Sequence, residues 1–206
     1  LLERAQRANA LAVGPGLGTS PEAQEFVRQI VQRTPCPLVL DADAIKAFAG
    51  KPELLAQCRQ PVILTPHPGE IAQLLGLSIE AVQGDRFGAI RQAVEQTKAV
   101  VLLKGAYTLI AEPGGNICIN PTGNRALGTG GSGDVLTGVI AGLLAQGLDA
   151  SAAAVVGAYL HGHAGDRLAA EMGEDGILAD DIATELPRAQ RDLRGGLPPV
   201  IEQFWG

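Results

Sequence analysis

The stretch "ALAVGPGLGTSPEAQEFVRQIV", residues 10–31, decides the fold class. Its first nine residues read as a buried strand running into a glycine-rich turn. Thr19 or Ser20 then caps a helix that begins at Pro21 and carries apolar residues at helical spacing, Phe26, Val27, Ile30 and Val31. A strand passing straight into a helix is half of a parallel crossover, and the pattern recurs downstream. "CPLVLDADAI" (36–45) reads as a second strand with Asp41 and Asp43 at its carboxyl end. "PVILTPHPGEIAQLLG" (61–76) reads as a third, stopped by two prolines and followed by a short helix closing at Gly76. "AVVLLKGAYTLIAEPGGNICIN" (99–120) divides into strands at 100–103, 108–111 and 117–119, and the "PGG" turn makes the last two an antiparallel hairpin. Helices are expected at 134–146, 151–170 and 179–193, with 194–206 a loosely attached tail. The expected fold is α/β: a mostly parallel sheet in three layers with a helical C-terminal third, forming one domain over residues 1–206.

Bulk properties limit the function. The chain has 206 residues, a formal net charge of -6 and seven aromatic residues in all (four Phe, two Tyr, one Trp), which argues against a nucleic-acid partner. No apolar run of membrane-spanning length and no signal-like start is present, so neither a membrane span nor secretion is expected. Cys36, Cys58 and Cys118 are odd in number and widely separated. They read as reduced, mostly buried thiols of a cytoplasmic protein rather than as a disulfide framework. Leu1 is not an initiator methionine, so the chain is expected to be N-terminally incomplete.

In open α/β sheets ligands bind beyond the carboxyl ends of the strands. The loops there are "GPGLG", "DAD", "TPHPGE" and "KGAYT", joined by the glycine cluster in "GTGGSGDVLTGVIAGLLAQG" (128–147). Gly128, Gly130, Gly131 and Gly133 lack the β-carbon that would block close approach, and the helix that follows offers free N–H groups and a positive dipole end to an anion. Asp134 then has two readings. It is either a cap or first-turn acid of the helix, or a general base acting beside a bound phosphate. The helix itself is expected to anchor through Val135, Leu136, Val139, Ile140, Leu143 and Leu144.

Other patterns carry less. Gly128, Gly130 and Gly133 satisfy G-x-G-x-x-G, but no buried strand precedes them, which weakens a Rossmann dinucleotide reading. Lys51 of "GK" is followed by proline, which excludes a P-loop. His161 and His163 lie two apart on a helix, roughly 200° around the axis, and cannot share a metal ion. One is expected to pack and the other to be solvated. The small residues of "SAAAVVGAYLHGHAGDRLAA" suit close packing in the core or between subunits.

Five motifs, in order, carry a family resemblance: "VGPGLG", "LVLDADAI", "ILTPHPGEIAQLLG", "VVLLKGAYTLIA" and "NPTGNRALGTGGSGDVLTGVIAGLLAQG". Over roughly residues 10–185 the chain resembles the NAD(P)H-hydrate dehydratase family of the ribokinase-like superfamily; "GGSGD" alone is shared with sugar and vitamin kinases of that superfamily. The resemblance implies repair of (6S)-hydrated NADH and NADPH (NADHX and NADPHX), driven by ADP in bacterial members or by ATP, with Mg2+. It implies that Asp134 is the catalytic base and also touches substrate, and that Gly130, Gly131, Ser132 and Gly133 form an anion hole. Lys104, Gly105, Ala106, Tyr107 and Thr108, with Asn124, Arg125, Ala126, Leu127, Gly128 and Thr129 and the anion-hole run, would bind the nucleotide. Gly16 and His67, Pro68, Gly69, Glu70, Ile71, Ala72 and Gln73 would hold the hydrated dinucleotide.

Several of these residues also carry their own reading. His67, rigid between two prolines at a strand exit, suits a ligand role. Glu70 is either a first-turn charge or an acid holding magnesium through water. Lys104 either snorkels or faces a ligand across the space Gly105 clears; Asp41 and Asp43 alternate along a strand and cannot both point inward, and Asp43 is the weaker candidate of the two. The resemblance further implies a homo-oligomer, with additional strands and an epimerase domain upstream. The alternatives to the dehydratase are a ribokinase-like kinase of a small hydroxymethyl or sugar substrate and a non-catalytic nucleotide-binding subunit.

Overall fold

The computed structural model describes residue 5 and residues 7–196. Among the described residues, six strands form one sheet in sequential order: β1 (Leu11–Val13), β2 (Leu38–Leu40), β3 (Val62–Leu64), β4 (Val100–Leu103), β5 (Leu109–Ala111) and β6 (Ile117–Ile119). The first four run parallel, and β5 and β6 turn back antiparallel as the "PGG" hairpin requires. β2, β3 and β4 are buried on both faces, which is why they read as unbroken apolar runs rather than alternating ones.

The crossovers α1 (Pro21–Arg33), α2 (Asp43–Lys46), α3 (Pro68–Leu75), α4 (Ile79–Gly84) and α5 (Arg86–Thr97) lead from each strand to the next. Parallel strands laid down in sequential order with crossovers of one hand put those connections on a single face. There the core contains Val27, Ile30 and Val31 of α1, Ile90 and Val94 of α5, and strand residues Leu38, Leu40, Leu64, Val101 and Leu103. The intervening strand residues Val39, Ile63, Val100 and Leu102 point the other way, as the period of two demands. They pack under α6 (Ser132–Ala145), α7 (Ala150–Met172) and α8 (Ala179–Arg194), so the C-terminal third covers the second face.

Local signals act as expected at several ends. Ser20 caps α1, accepting from the Ala23 N–H at 3.2 Å, and Gly76 closes α3 in the left-handed region. Other expectations need correction. Phe26 is exposed on the outer side of α1, while Val135 and Val139 of α6 are only half-buried. Residues 77–98, where no element was expected, form α4 and α5. Cys118 is exposed on β6, the edge strand of the sheet among the described residues, whereas Cys36 is buried and Cys58 half-buried with its thiol donating to the Val31 carbonyl at 3.2 Å. Of the expected tail, Arg194 is the last residue of α8, Gly195 and Gly196 follow it, and residues 197–206 lie outside the described residues. No helix among the described residues is long and apolar enough to cross a membrane.

Candidate active site

Four loops line up along the carboxyl edge of β1 to β4 because the sheet ladder runs one residue past each strand. Asp41 N–H donates to the Val13 carbonyl at 3.1 Å, Thr65 N–H to Leu40 at 3.1 Å, and Lys104 N–H to Pro66 at 2.8 Å. Asp41 and Lys104 are thus fixed in backbone before any side-chain contact forms. At Gly14, a β-carbon would lie 1.8 Å from the Asp41 carbonyl oxygen, so only glycine lets the first loop pass so near the second.

The second strand ends earlier than expected. β2 stops at Leu40, Ala42 takes φ 48°, and Asp43 already opens α2. This reversal separates two carboxylates that would otherwise alternate along a strand. Asp43 holds structure, accepting from the Gly18 N–H and the Lys46 ammonium at 2.9 Å each. Asp41, fully buried, accepts from Lys104 Nζ at 2.8 Å and from Thr137 Oγ1 at 3.0 Å. Sequence marked Asp41 only as part of the "DAD" loop and gave it no role, and it did not mark Thr137.

Lys104 is the junction. Its ammonium also stands 3.9 Å from Glu70 Oε2, and a β-carbon on Gly133 would sit 3.4 Å from Nζ and 3.7 Å from Asp41 Oδ2. The glycine run therefore lies against the Lys104–Asp41 pair, with glycine at 133 keeping the approach open.

On one side of this junction is a cavity of about 600 Å³. All five residues Lys104–Thr108 line it, together with Asn124, Arg125, Leu127, Gly128, Ser132 and Gly133, so most of the expected nucleotide residues surround one space. Ala126, Thr129, Gly130 and Gly131 are not among its walls. Ala126 is buried beneath them. The two glycines are exposed at the mouth of α6, where Gly131 is the N-cap with φ 86°. Within the expected anion hole, Ser132 N–H turns back to the Thr129 carbonyl at 3.3 Å. No described hydrogen bond takes the N–H of Gly130, Gly131 or Gly133, so these three remain free for an anion.

α7 holds the cavity in place. Its small residues, expected in the core or between subunits, are used inside the chain. A β-carbon at Gly162 would lie 2.2 Å from Thr122 Oγ1, one at Gly165 2.7 Å from Leu127, and one at Gly157 2.6 Å from Ile140. Asp166 accepts from the Gly123 N–H and from Asn124 Nδ2, both at 2.9 Å, which fixes the start of the run expected to bind the nucleotide. Arg125 pairs outward with Glu174 and Asp175. His161 is the buried one of its pair, with Nε2 3.1 Å from Ser132 Oγ and 3.0 Å from the Ser132 carbonyl. Burial pushes its pKa down to about 4, against the hydrogen bond Nε2–H donates to the Ser132 carbonyl, which raises it, and with a smaller lowering from the Lys104 cation, so the ring is neutral at pH 7. Its partner His163, expected to be solvated, is half-buried and stacks on Tyr159 with ring centroids 6.0 Å apart.

On the other side lie the expected substrate residues, none of which lines the cavity. Gly16 is exposed at φ 73° with open space around it. His67 is the N-cap of α3: Nδ1 accepts from the Gly69 and Glu70 N–H groups at 3.0 and 3.3 Å, and Glu70 Oε2 accepts the His67 N–H at 2.8 Å in return. The ring remains 55% exposed even though its Nε2 stands 3.5 Å from Glu70 Oε1. Ile71 and Ala72 are buried in the core, which leaves Gln73 and the Pro68–Gly69 backbone as the accessible part of this run. Asp134, exposed at the third position of α6, makes no side-chain cap bond but stands in the first turn of that helix, so the first-turn-acid reading holds beside the general-base one and only the cap falls away.

Comparison with known proteins identifies the family and the fold. The family model described as NAD(P)H-hydrate dehydratase matches residues 1–188. The ADP-dependent (S)-NAD(P)H-hydrate dehydratase of Neisseria meningitidis is 45% identical over 196 residues, covering 95% of this chain and 65% of that protein. The bifunctional NAD(P)H-hydrate repair enzyme Nnr of Moorella thermoacetica is 45% identical over 201 residues, but this chain spans only 38% of its length. Among solved structures, the ADP/ATP-dependent NAD(P)H-hydrate dehydratase of Bacillus subtilis superposes with a TM-score of 0.80 at 36% identity, over 92% of this chain and 70% of that one. Ribokinase from Thermotoga maritima, at 17% identity and a TM-score of 0.62, shares the fold. The chain belongs to the NAD(P)H-hydrate dehydratase family and has the ribokinase-like fold.

Proposed function

We propose that this chain removes water from (6S)-hydrated NADH and NADPH, using a nucleotide, with ADP favoured, as phosphoryl donor. The observation that carries this reading is the position of Lys104. It lines the nucleotide cavity, pairs with Asp41 and stands beside both Glu70 of the substrate-side loop and Gly133 of the anion hole. A phosphoryl group crossing from cavity to loop meets an ammonium and free backbone N–H groups on its way.

In this mechanism the Asp134 carboxylate takes the proton of the ring hydroxyl, and the hydroxyl oxygen attacks the terminal phosphorus of the nucleotide. The O–P anhydride bond breaks and AMP departs from ADP. Lys104 and the N–H groups of Gly130, Gly131 and Gly133 balance the charge that develops on phosphorus. The ring C–O bond then breaks, phosphate leaves with its electron pair, and loss of a neighbouring ring proton restores the double bond. Asp134 suits the first step because it is exposed and has no capping duty.

Magnesium does not fit on the protein alone. Glu70 gives Oε2 to the His67 N–H, and the positive charge beside it is Lys104. No group of three or more metal-binding side chains occurs among the described residues. The ion is therefore assigned to the nucleotide phosphates, where Mg2+ keeps most of its water, and no step above depends on it.

The Bacillus protein, crystallised with ATP and Mg2+, and the Neisseria relative, named ADP-dependent, support a nucleotide site of this kind. The bifunctional name of the Moorella relative accords with an accompanying epimerase domain. A homo-oligomer and a cytoplasmic location complete the proposal. Incubating the folded chain with hydrated NADH and either ADP or ATP, and following the return of reduced-nicotinamide absorbance, tests the activity. No return with either nucleotide would overturn it, and a stable phosphorylated product in a parallel incubation with ATP and a small hydroxymethyl or sugar substrate would favour the kinase alternative.

A further inference from the structure

Behind the Lys104–Thr108 loop lies an arginine that neither composition nor motif marks. Asp85 closes α4 and, accepting from the Gly88 N–H at 2.8 Å, opens α5, so the first residue of α5, Arg86, projects toward the end of β4. Its guanidinium gathers three carbonyls of one loop: Ala106 at 2.6 Å from Nη1, and Leu103 and Tyr107 at 3.3 and 3.5 Å from Nη2. A planar fork with several donors can serve converging carbonyls in this way, and three carbonyl oxygens aimed at one point would repel each other without it. The loop is shaped around this contact. Gly105 takes φ 139°, and a β-carbon there would lie 3.2 Å from Arg86 Nη2; Tyr107, though not glycine, is held at φ 53°.

The orientation of the loop follows from the peptide plane. In a trans peptide the C=O and the next residue's N–H point in opposite directions. With the Ala106 and Tyr107 carbonyls turned to Arg86, the N–H groups of Tyr107 and Thr108 face away from it. All five loop residues line the cavity and Arg86 does not, so away from Arg86 means toward the cavity. No described hydrogen bond takes either N–H. The Arg86 Nε–H, moreover, is buried without a partner, an arrangement that a side chain serving stability alone would avoid.

We propose that Arg86 is a positioning residue for the nucleotide: it pulls the loop carbonyls backward and so presents the Tyr107 and Thr108 N–H groups to acceptor atoms of a nucleoside diphosphate or triphosphate in the cavity. This rests on the nucleotide-dependent reading above.

Calorimetric titration of wild type, Arg86→Ala and Arg86→Lys with ADP, and separately with hydrated NADH, tests it, with urea melting run on each protein. The expected result is a rise of about tenfold in the Kd for ADP in Arg86→Ala, no change beyond about twofold for hydrated NADH, and an intermediate ADP value for Arg86→Lys, which keeps the charge but not the fork. Should Arg86→Ala fail to fold, Arg86→Lys alone must weaken ADP and spare hydrated NADH. A folded variant that binds ADP like wild type, or that loses both ligands equally, overturns the proposal while leaving the dehydratase reading intact. A wild-type chain that binds neither ADP nor ATP overturns both. Selective ADP loss in a chain that returns no NADH leaves Arg86 in its role and removes only the dehydratase reading.

Discussion

Lys104 and Asp41, 63 residues apart in sequence, meet at 2.8 Å across β3, their side chains bridging the loops that follow β4 and β2. Asp41 is fully buried and Lys104 is 23% exposed, so the pair is partly screened. Replacing Asp41 by alanine leaves both Lys104 and Thr137 without their partner. The expected cost is about 2–3 kcal/mol, below the range for fully buried pairs because of that exposure. Urea denaturation measures it, and a loss within error of zero would mean that solvent replaces the carboxylate freely.

Asp134→Asn should lower turnover by about 10²–10⁴-fold, the range for removing a general base. ADP affinity should stay within about threefold, since the anion hole is backbone. Stability should move by less than about 0.5 kcal/mol, because the side chain caps nothing. Loss of nucleotide binding along with turnover would assign Asp134 to structure instead.

The neutral, buried His161 makes stability depend on pH. Its folded pKa of about 4 lies below the unfolded value of 6.5, so between these two pH values the unfolded state binds more protons. The contribution is complete above pH 6.5 and shrinks as pH falls toward 4, by about 3 kcal/mol at most. Unfolding free energy measured between pH 7 and pH 4.5 should fall steeply in wild type and less steeply in His161→Asn. Equal slopes in the two proteins would remove His161 as the source.

Two glycines give opposite expectations. Gly162→Ala sets a β-carbon 2.2 Å from Thr122 Oγ1 and 2.7 Å from Thr122 backbone, which cannot move cheaply, so a loss of about 1–3 kcal/mol and weaker ADP binding should follow. Gly128→Ala meets nothing within 4 Å. It should leave the melting midpoint unchanged and still weaken ADP, since Gly128 lines the cavity. Normal ADP binding by Gly128→Ala would show that the clearance there serves no ligand.

The strands, the hairpin and most helix starts were legible because their signals are local: all-apolar runs for strands buried on two faces, Ser20 with Pro21, Gly76. α4 and α5 were not, because Asp85 ends one helix and caps the next while Gly84 and Gly88 interrupt the apolar period. The same division applies to the site. Asp134 and the glycines announce themselves by composition at one place in the chain. The Asp41–Lys104–Thr137 cluster, the seat of Ser132 on His161, and Arg86 behind its loop join residues 17 to 96 positions apart, and pairing at such range leaves no periodic trace.

Placing α1 to α5 on one face and α6 to α8 on the other also orders events in time. The first face and the sheet are encoded before residue 120, and a ribosome delivers them first. The glycine run, His161 and Asp166 all arrive with the second face. The residues of the sheet and of the first face are thus made before the glycine run, His161 and Asp166, so on the proposed function nucleotide binding would report the docking of the final helices rather than the formation of the sheet.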